Sequence, residues 1–242
     1  MSKAYQVVGI GNAVSDVIAT SSDEFLIENG VEKGIMQLVD QPRAEALFSA
    51  MGSRTETPGG SVANTIAGLG SLGLRTAFIG RVADDDLGHS YALAMQTQGT
   101  DFPNPPVPNA GLPTSRSMIF VSPDGERSMN TYLGISSDLG PEDVSDEVIR
   151  DCEILFLEGY LFDKAPGKEA FRKAASLARQ SGARAGISLS DPFCVDRHRD
   201  DFRKLVAGPL DFFLCNEEEL KSLYQTDDLA EALKMGAADC EL

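Results

Sequence analysis

Pro58-Gly59-Gly60-Ser61-Val62-Ala63-Asn64-Thr65-Ile66-Ala67-Gly68-Leu69-Gly70 is the stretch on which the fold turns. Two adjacent glycines precede a segment in which Ala63, Ile66, Ala67 and Gly70 share one face at helical spacing. Ser61 is a favourable N-cap residue, so a helix is expected to start near it. Without Cβ atoms at Gly59 and Gly60 a ligand can approach the backbone closely. The free N–H groups of the first helical turn then point at that ligand. Asn64, in the same turn, carries both donors and acceptors. This chemistry suits vicinal hydroxyls as well as a phosphate. The alternative is a tight turn feeding a close-packed helix.

On both sides of this stretch, short apolar runs alternate with helical patterns. Tyr5 to Gly11, Thr76 to Gly80, Glu153 to Glu158, Ala185 to Leu189 and Asp211 to Cys215 read as buried strands. Lys168 to Gln180 and Arg197 to Val206 read as amphipathic helices. Strand, helix, strand in repetition implies an α/β fold with a parallel sheet covered on both faces. Two stretches break the rhythm. One runs from about Val17 to Asp40 and includes a short strand at Met36 to Val39; the other runs from Ser115 to Tyr132 around the turn Ser122-Pro123-Asp124-Gly125. Both read as antiparallel ribbons outside the main sheet, either a flap over the strand ends or decoration. Lid segments are thus expected at about 17–40 and 113–133 within one domain spanning 1–242, with no repeat or linker.

Asn12 and Asp16 follow the first strand, at the carboxyl end where open α/β sheets place ligands. In an extended segment they share a face with Val14, and a carboxylate there can accept from two sugar hydroxyls. The alternative is a turn-forming Asn and a solvated Asp. Gly9-x-Gly11-x-x-Val14 is a poor dinucleotide fingerprint, because its third position is Val14 and no helical pattern begins there. A Rossmann dehydrogenase is therefore a distant reading, and no G-x-x-x-x-G-K-[ST] P-loop occurs.

Composition narrows the classes further. A net charge of −16, from 37 acidic and 21 basic residues, repels nucleic acid and anionic membranes. No stretch approaches the roughly 18 apolar residues of a membrane span, and Met1 to Tyr5 begin no signal peptide. Cys152, Cys194, Cys215 and Cys240 are widely spaced, which predicts reduced thiols in a cytoplasmic protein and no zinc site. His89 and His198 lie in no recognisable constellation and are expected at the surface.

Gly59-Gly60-x-x-x-Asn64, continued by Leu72-Gly73 and Phe78-Ile79-Gly80-x-Val82-x-x-Asp85-x-x-Gly88, resembles the first signature of the PfkB carbohydrate kinases. Gly11-Asn12-x-x-x-Asp16 is similar to that family's first sugar-contacting segment, and Asn216-Glu217-Glu218-Glu219 to its N-x-x-E motif. The hairpin Asp124-Gly125-Glu126-Arg127-Ser128 and Ser188-Leu189-Ser190-Asp191-Pro192-Phe193 look most like adenosine kinases and their bacterial relatives. The resemblance implies a ribokinase-like three-layer α/β/α sandwich, with a mostly parallel sheet and a small β lid, truncated at its C-terminus. It implies ATP-dependent phosphorylation of a nucleoside, adenosine first, or of a ribose- or fructose-like sugar, with Mg2+ as cofactor.

Residue by residue, Asn12, Asp16, Gly59, Gly60, Ser61 and Asn64 would hold ribose hydroxyls. Met36 and Leu38 would form the lid, with Met118 another lid residue, and Phe193 would contact the base. Arg127 and Asn216 would meet phosphate, and Glu219 would hold magnesium through water. Read on spacing alone, Asn216 to Glu219 is equally a capped helix start. Some members of the family pair through the lid and others are monomers, so a homodimer there is left open.

The family's second signature, D-T-x-G-A-G-D, supplies an anion hole and the aspartate base, and it is absent from these 242 residues. Gly236-Ala237-Ala238-Asp239 lacks the preceding Asp-Thr and is expected to lead into a strand beginning at Asp239 to Leu242. The chain therefore reads as the substrate-binding front part of a kinase, or as a non-catalytic nucleoside- or sugar-binding homologue. Phosphoryl transfer depends on positioning and charge stabilisation. The 242-residue chain alone should therefore show no ATP-dependent phosphorylation of adenosine above a no-enzyme control, and turnover above that control would contradict this.

Overall fold

Strand β1 (Tyr5–Ile10) is apolar on both faces because both faces are covered: Val7 packs with one group of helices, Val8 and Ile10 with another. The computed structural model describes residues 3–240. After β1 come β2 (Val14–Thr20), α1 (Asp23–Glu28), β3 (Met36–Leu38), α2 (Gln41–Ala50), β4 (Thr55–Gly59), α3 (Ser61–Ser71), β5 (Thr76–Ile79), α4 (Asp86–Thr97) and β6 (Thr100–Asp101). The second half comprises β7 (Ser115–Val121), β8 (Arg127–Tyr132), α5 (Asp146–Arg150), β9 (Cys152–Glu158), α6 (Ala165–Gln180), β10 (Arg184–Ser188), α7 (Pro192–Val206), β11 (Phe212–Leu214), α8 (Glu217–Tyr224) and α9 (Leu229–Asp239).

The main sheet has the order β11-β10-β9-β1-β5-β6, and every pairing in it is parallel. Val62, Ala63 and Ile66 of α3 and Tyr91 and Met95 of α4 pack on one face, against Val7, Phe78 and Phe156. Helices α5 to α9 contribute Ile149, Phe171, Phe202, Leu223 and Ala232 to the core on the other. The result is the expected three-layer sandwich.

The second sheet has the order β3-β8-β7-β2-β4. Only its β7–β8 portion is the antiparallel ribbon expected from sequence. The stretch from Val17 to Asp40 forms no ribbon: α1 separates β2 from β3, and each instead pairs in parallel with one strand of the β7–β8 hairpin. Strand β4, antiparallel to β2, was not expected. Three of its five residues, Glu56, Pro58 and Gly59, are weak strand formers, tolerated because β4 is an edge.

Direct register partners share a face of this sheet. Val17, Ala19, Met118 and Phe120 face the core with Leu26 of α1 and Ala44 and Leu47 of α2. Met118 is thus covered by helix and does not line a lid surface. Asp16, Ile18, Ile119, Arg127, Met129, Met36 and Leu38 fall on the opposite face.

Three further boundaries differ from expectation. The N-cap of α3 is Gly60, with Ser61 as the first helical residue and no side-chain cap. Helix α7 begins at Pro192, capped by Asp191, and kinks at His198; the kink is why a regular helical period is legible only beyond Arg197. His198 is half-buried rather than open at the surface: its side chain is 16% exposed and its Nε2 lies 2.9 Å from Asp163. Gly236 to Asp239 form the last turn of α9 and not the approach to a strand. Met1, Ser2, Glu241 and Leu242 lie outside the described residues.

Helix α4 also fixes the site described below. The hydroxyl of Tyr91, 1% exposed, donates to the Gly59 carbonyl at 3.0 Å. Tyr91→Phe would leave that buried acceptor unpaired, at a cost of about 1–3 kcal/mol. Urea denaturation should record a loss in this range, and unchanged stability would show that the bond does not hold Gly59.

Candidate functional site

Two chain crossings meet at the carboxyl end of β1. Gly11-Asn12-Ala13 carries the chain from β1 into β2, and Gly60 carries it from β4 into α3. Val14 pairs with Gly59 and Asp16 with Thr57, which holds the crossings together. Gly60 has φ 104°, a conformation that disfavours any side chain, and a Cβ there would strike the Asn12 carbonyl. A Cβ on Gly59 would strike the Asp16 carboxylate. The glycine pair thus lets the start of α3 lie directly against Asn12 and Asp16.

Asp16 is half-buried, and burial pushes its carboxyl up to about 6, with the Arg127 guanidinium pulling the other way. Ser61 and Asn64 are exposed on the first turn of α3. The Asn64 N–H closes the first helical bond onto the Gly60 carbonyl at 2.9 Å; the N–H groups ahead of it have no intrahelical partner, and the one on Val62 donates to Glu158 at 3.4 Å. Met36, 40% exposed, and Leu38, 56% exposed, share the sheet face of Asp16. Arg127 lies on that face as well, exposed and without an ion pair among the described residues.

Asn12 does not present its side chain beside Asp16 as an extended segment would require, because residues 11–13 are not in a strand. Its Nδ2 donates to Glu158 at 2.8 Å, and its Oδ1 accepts from Ser136 at 3.0 Å. With 3% exposure, it supports the site from behind.

Sequence reasoning missed Glu158. This residue ends β9, is 1% exposed, and accepts from the Asn12 amide nitrogen, Asn12 Nδ2 and Val62 N. Burial pushes its carboxyl up, while these donors hold it down. It thereby ties β9, the β1–β2 crossing and the start of α3 to one group. The available signal was an acid closing the apolar run Ile154-Leu155-Phe156-Leu157.

The remaining expected residues lie on other strand ends. Phe193, 73% exposed, is in the first turn of α7, after β10. Asn216 and Glu219 form a reciprocal capping box at the start of α8, after β11. Asn216 Oδ1 accepts from Glu219 N at 2.9 Å, and Glu219 Oε1 accepts from Asn216 Nδ2 at 2.8 Å.

The pfkB family carbohydrate kinase profile matches residues 36–239. The chain belongs to that family. This PfkB chain is similar to a 5-dehydro-2-deoxygluconokinase of Halalkalibacterium halodurans, 31% identical over 170 residues that cover 68% of the chain and 51% of the relative. It superposes on the adenosine kinase from Sinorhizobium meliloti with TM-score 0.89 and 47% identity, over 99% of this chain and 73% of that one. A probable sugar kinase from Rhizobium etli CFN 42 gives TM-score 0.89 and 46% identity, over 98% and 72% of the two chains. The ribokinase-like fold is thereby confirmed. The chain spans about half the length of the curated relatives it matches.

PfkB kinases use ATP, usually with Mg2+. No group of three or more His, Cys, Asp or Glu side chains able to hold a metal occurs among the described residues. Glu219 is 6% exposed and both its oxygens accept from Asn216. Its free lone pairs suit contact through water rather than direct ligation.

Glu158→Gln would keep the shape but place an amide N–H against donors. The expected loss is about 1–3 kcal/mol in stability, with hydrogen exchange of the Val62 amide accelerated; unchanged exchange there would refute the tie between β9 and α3.

Proposed function

We propose that this chain carries the substrate-binding part of an ATP-dependent kinase acting on a hydroxyl of a nucleoside, adenosine being favoured, or of a sugar. The observation that carries this reading is the half-buried Asp16 carboxylate, set against Gly59 at the end of β4, two residues before α3, and raised to about 6 by burial. A carboxylate so placed gains most from a ligand that donates two adjacent hydroxyls. Gly59, Gly60 and Ser61 would offer the loop backbone, and the exposed Asn64 amide would supply a donor and an acceptor. Asn12 would act through Glu158 and its own main chain.

Met36 and Leu38 give the lid face an apolar surface for a base or sugar ring, and Phe193 would reach the base from the β10 end. Arg127 and Asn216 would meet the transferring phosphate, and Glu219 would hold Mg2+ through water. The 47% identity to the adenosine kinase of Sinorhizobium meliloti supports adenosine; the similarity to a 5-dehydro-2-deoxygluconokinase supports a sugar as the alternative. A lid-to-lid homodimer is in keeping with the exposed edge strand β3. A cytoplasmic setting fits four free cysteines, and no helix among the described residues is long and apolar enough to cross a membrane.

The pH dependence of binding follows from Asp16. Its folded value lies above the ordinary 3.8, so ionisation in the empty site is suppressed until the pH rises through about 6. Hydroxyl donors require the ionised form. Calorimetric affinity for adenosine should therefore fall about tenfold per pH unit below that point and be flat above it. In Asp16→Asn the profile should be flat and the affinity at neutral pH about 10- to 100-fold weaker. Binding of a hexose with no response to any nucleoside would overturn the adenosine assignment; a pH-dependent affinity surviving in Asp16→Asn would overturn the role of Asp16.

A further inference from the structure

A second recess lies on the helical layer opposite α3, walled by α6, α7 and the turn that follows β9. Its volume is about 210 Å3. Three cations line it, Lys168, Arg172 and Lys204, with one carboxylate, Asp201. Lys168 donates to Asp201 at 2.7 Å, and Arg172 stands 3.9 Å from the other oxygen. The Asp201 carboxyl is held below its ordinary range by the Lys168 hydrogen bond first, with Lys204 and Arg172 adding to it. All three cations therefore act on one point. Lys204 makes no ion pair among the described residues. Arg172 also pairs with Glu169 at the rim, and even so the wall keeps surplus positive charge on a chain of net −16. The side chain of Lys168 is only 20% exposed, and a partly desolvated cation in a concave wall concentrates the local field. Phe162, Leu205 and Pro209 make the rest of the lining apolar.

The geometry points to a binding site in this recess for a phosphate dianion, carried on a small organic phosphate or free. The volume lies below the roughly 300–1,000 Å3 of ordinary ligand clefts, which rules against a whole nucleotide and suits a short phosphate monoester whose carbon chain covers Phe162. With Lys168 held by Asp201 and Arg172 shared between Glu169 and Asp201, the surplus charge rests on Lys204, which has no ion pair among the described residues. None of these residues belongs to the Asp16 cluster.

Isothermal titration at low salt with glycerol 3-phosphate, inorganic phosphate and glycerol tests the site on the full 242-residue chain. Both phosphates should bind at millimolar or lower concentration and glycerol should not; tighter binding of the monoester assigns the organic source, and equal binding assigns free phosphate. Lys204→Ala with Arg172→Ala should weaken the affinity about tenfold or more without changing the melting temperature, Lys204→Arg should retain it, and Asp16→Asn should leave it unchanged. No binding of either phosphate, equal binding in the Lys204→Ala and Arg172→Ala double variant, or loss of binding in Asp16→Asn would overturn the proposal.

Discussion

The carboxylate of Asp16 lies over the backbone of Gly59 in space that any side chain there would fill. That contact accompanies the β2–β4 register, in which Val14 pairs with Gly59, and the close approach of Gly60 to the Asn12 carbonyl, so that α3 starts directly against Asn12 and Asp16. It also explains the electrostatics. The peptide of Gly59 and the second sheet remove water from Asp16, and the nearest opposing charge is Arg127 on the same sheet face. A carboxylate that is partly desolvated and has no ion pair among the described residues is poised to accept hydrogen bonds, which is the property a polyol site needs.

Behind that contact stands a second carboxylate with the opposite character. Glu158 is buried and its oxygens are occupied by Asn12 and Val62. The two acids divide the work by environment: Glu158 spends its acceptors on holding three segments together, and Asp16 keeps its acceptors free. A half-satisfied buried acid would be costly, so the full set of donors around Glu158 is what allows Asn12 to be so deeply buried. Rigid support of this kind would hold the proposed binding loop within the tolerance that hydroxyl recognition demands.

Much of this was legible in the sequence. The apolar runs from Tyr5, Thr76, Glu153, Ala185 and Asp211 each became a strand of the parallel sheet, because burial on both faces leaves a continuous apolar signature. Gly59, Gly60 and Asp16 stood out through glycine chemistry and position. The second sheet was only partly legible: β4, reading Thr-Glu-Thr-Pro-Gly, carries no strand signal, and the parallel pairing of β2 with β7 is set by tertiary packing. Asn12 departs from the extended reading because residues 11–13 leave the strand and its side-chain amide bonds to Glu158 and Ser136. Glu158 passed as the end of an apolar run, and its partners lie 96 and 146 residues away. For Asn216 to Glu219 both readings left open by the spacing persist, since a capping box occupies the very groups a hydrated metal would approach.

The most direct measurement is the pKa of the Asp16 carboxyl, read by carbon-13 NMR with and without adenosine. The account predicts a value near 6 in the free chain and a fall when adenosine is added, because hydroxyl donors stabilise the charged form. A value close to 3.8, unmoved by adenosine or by any sugar, would contradict it.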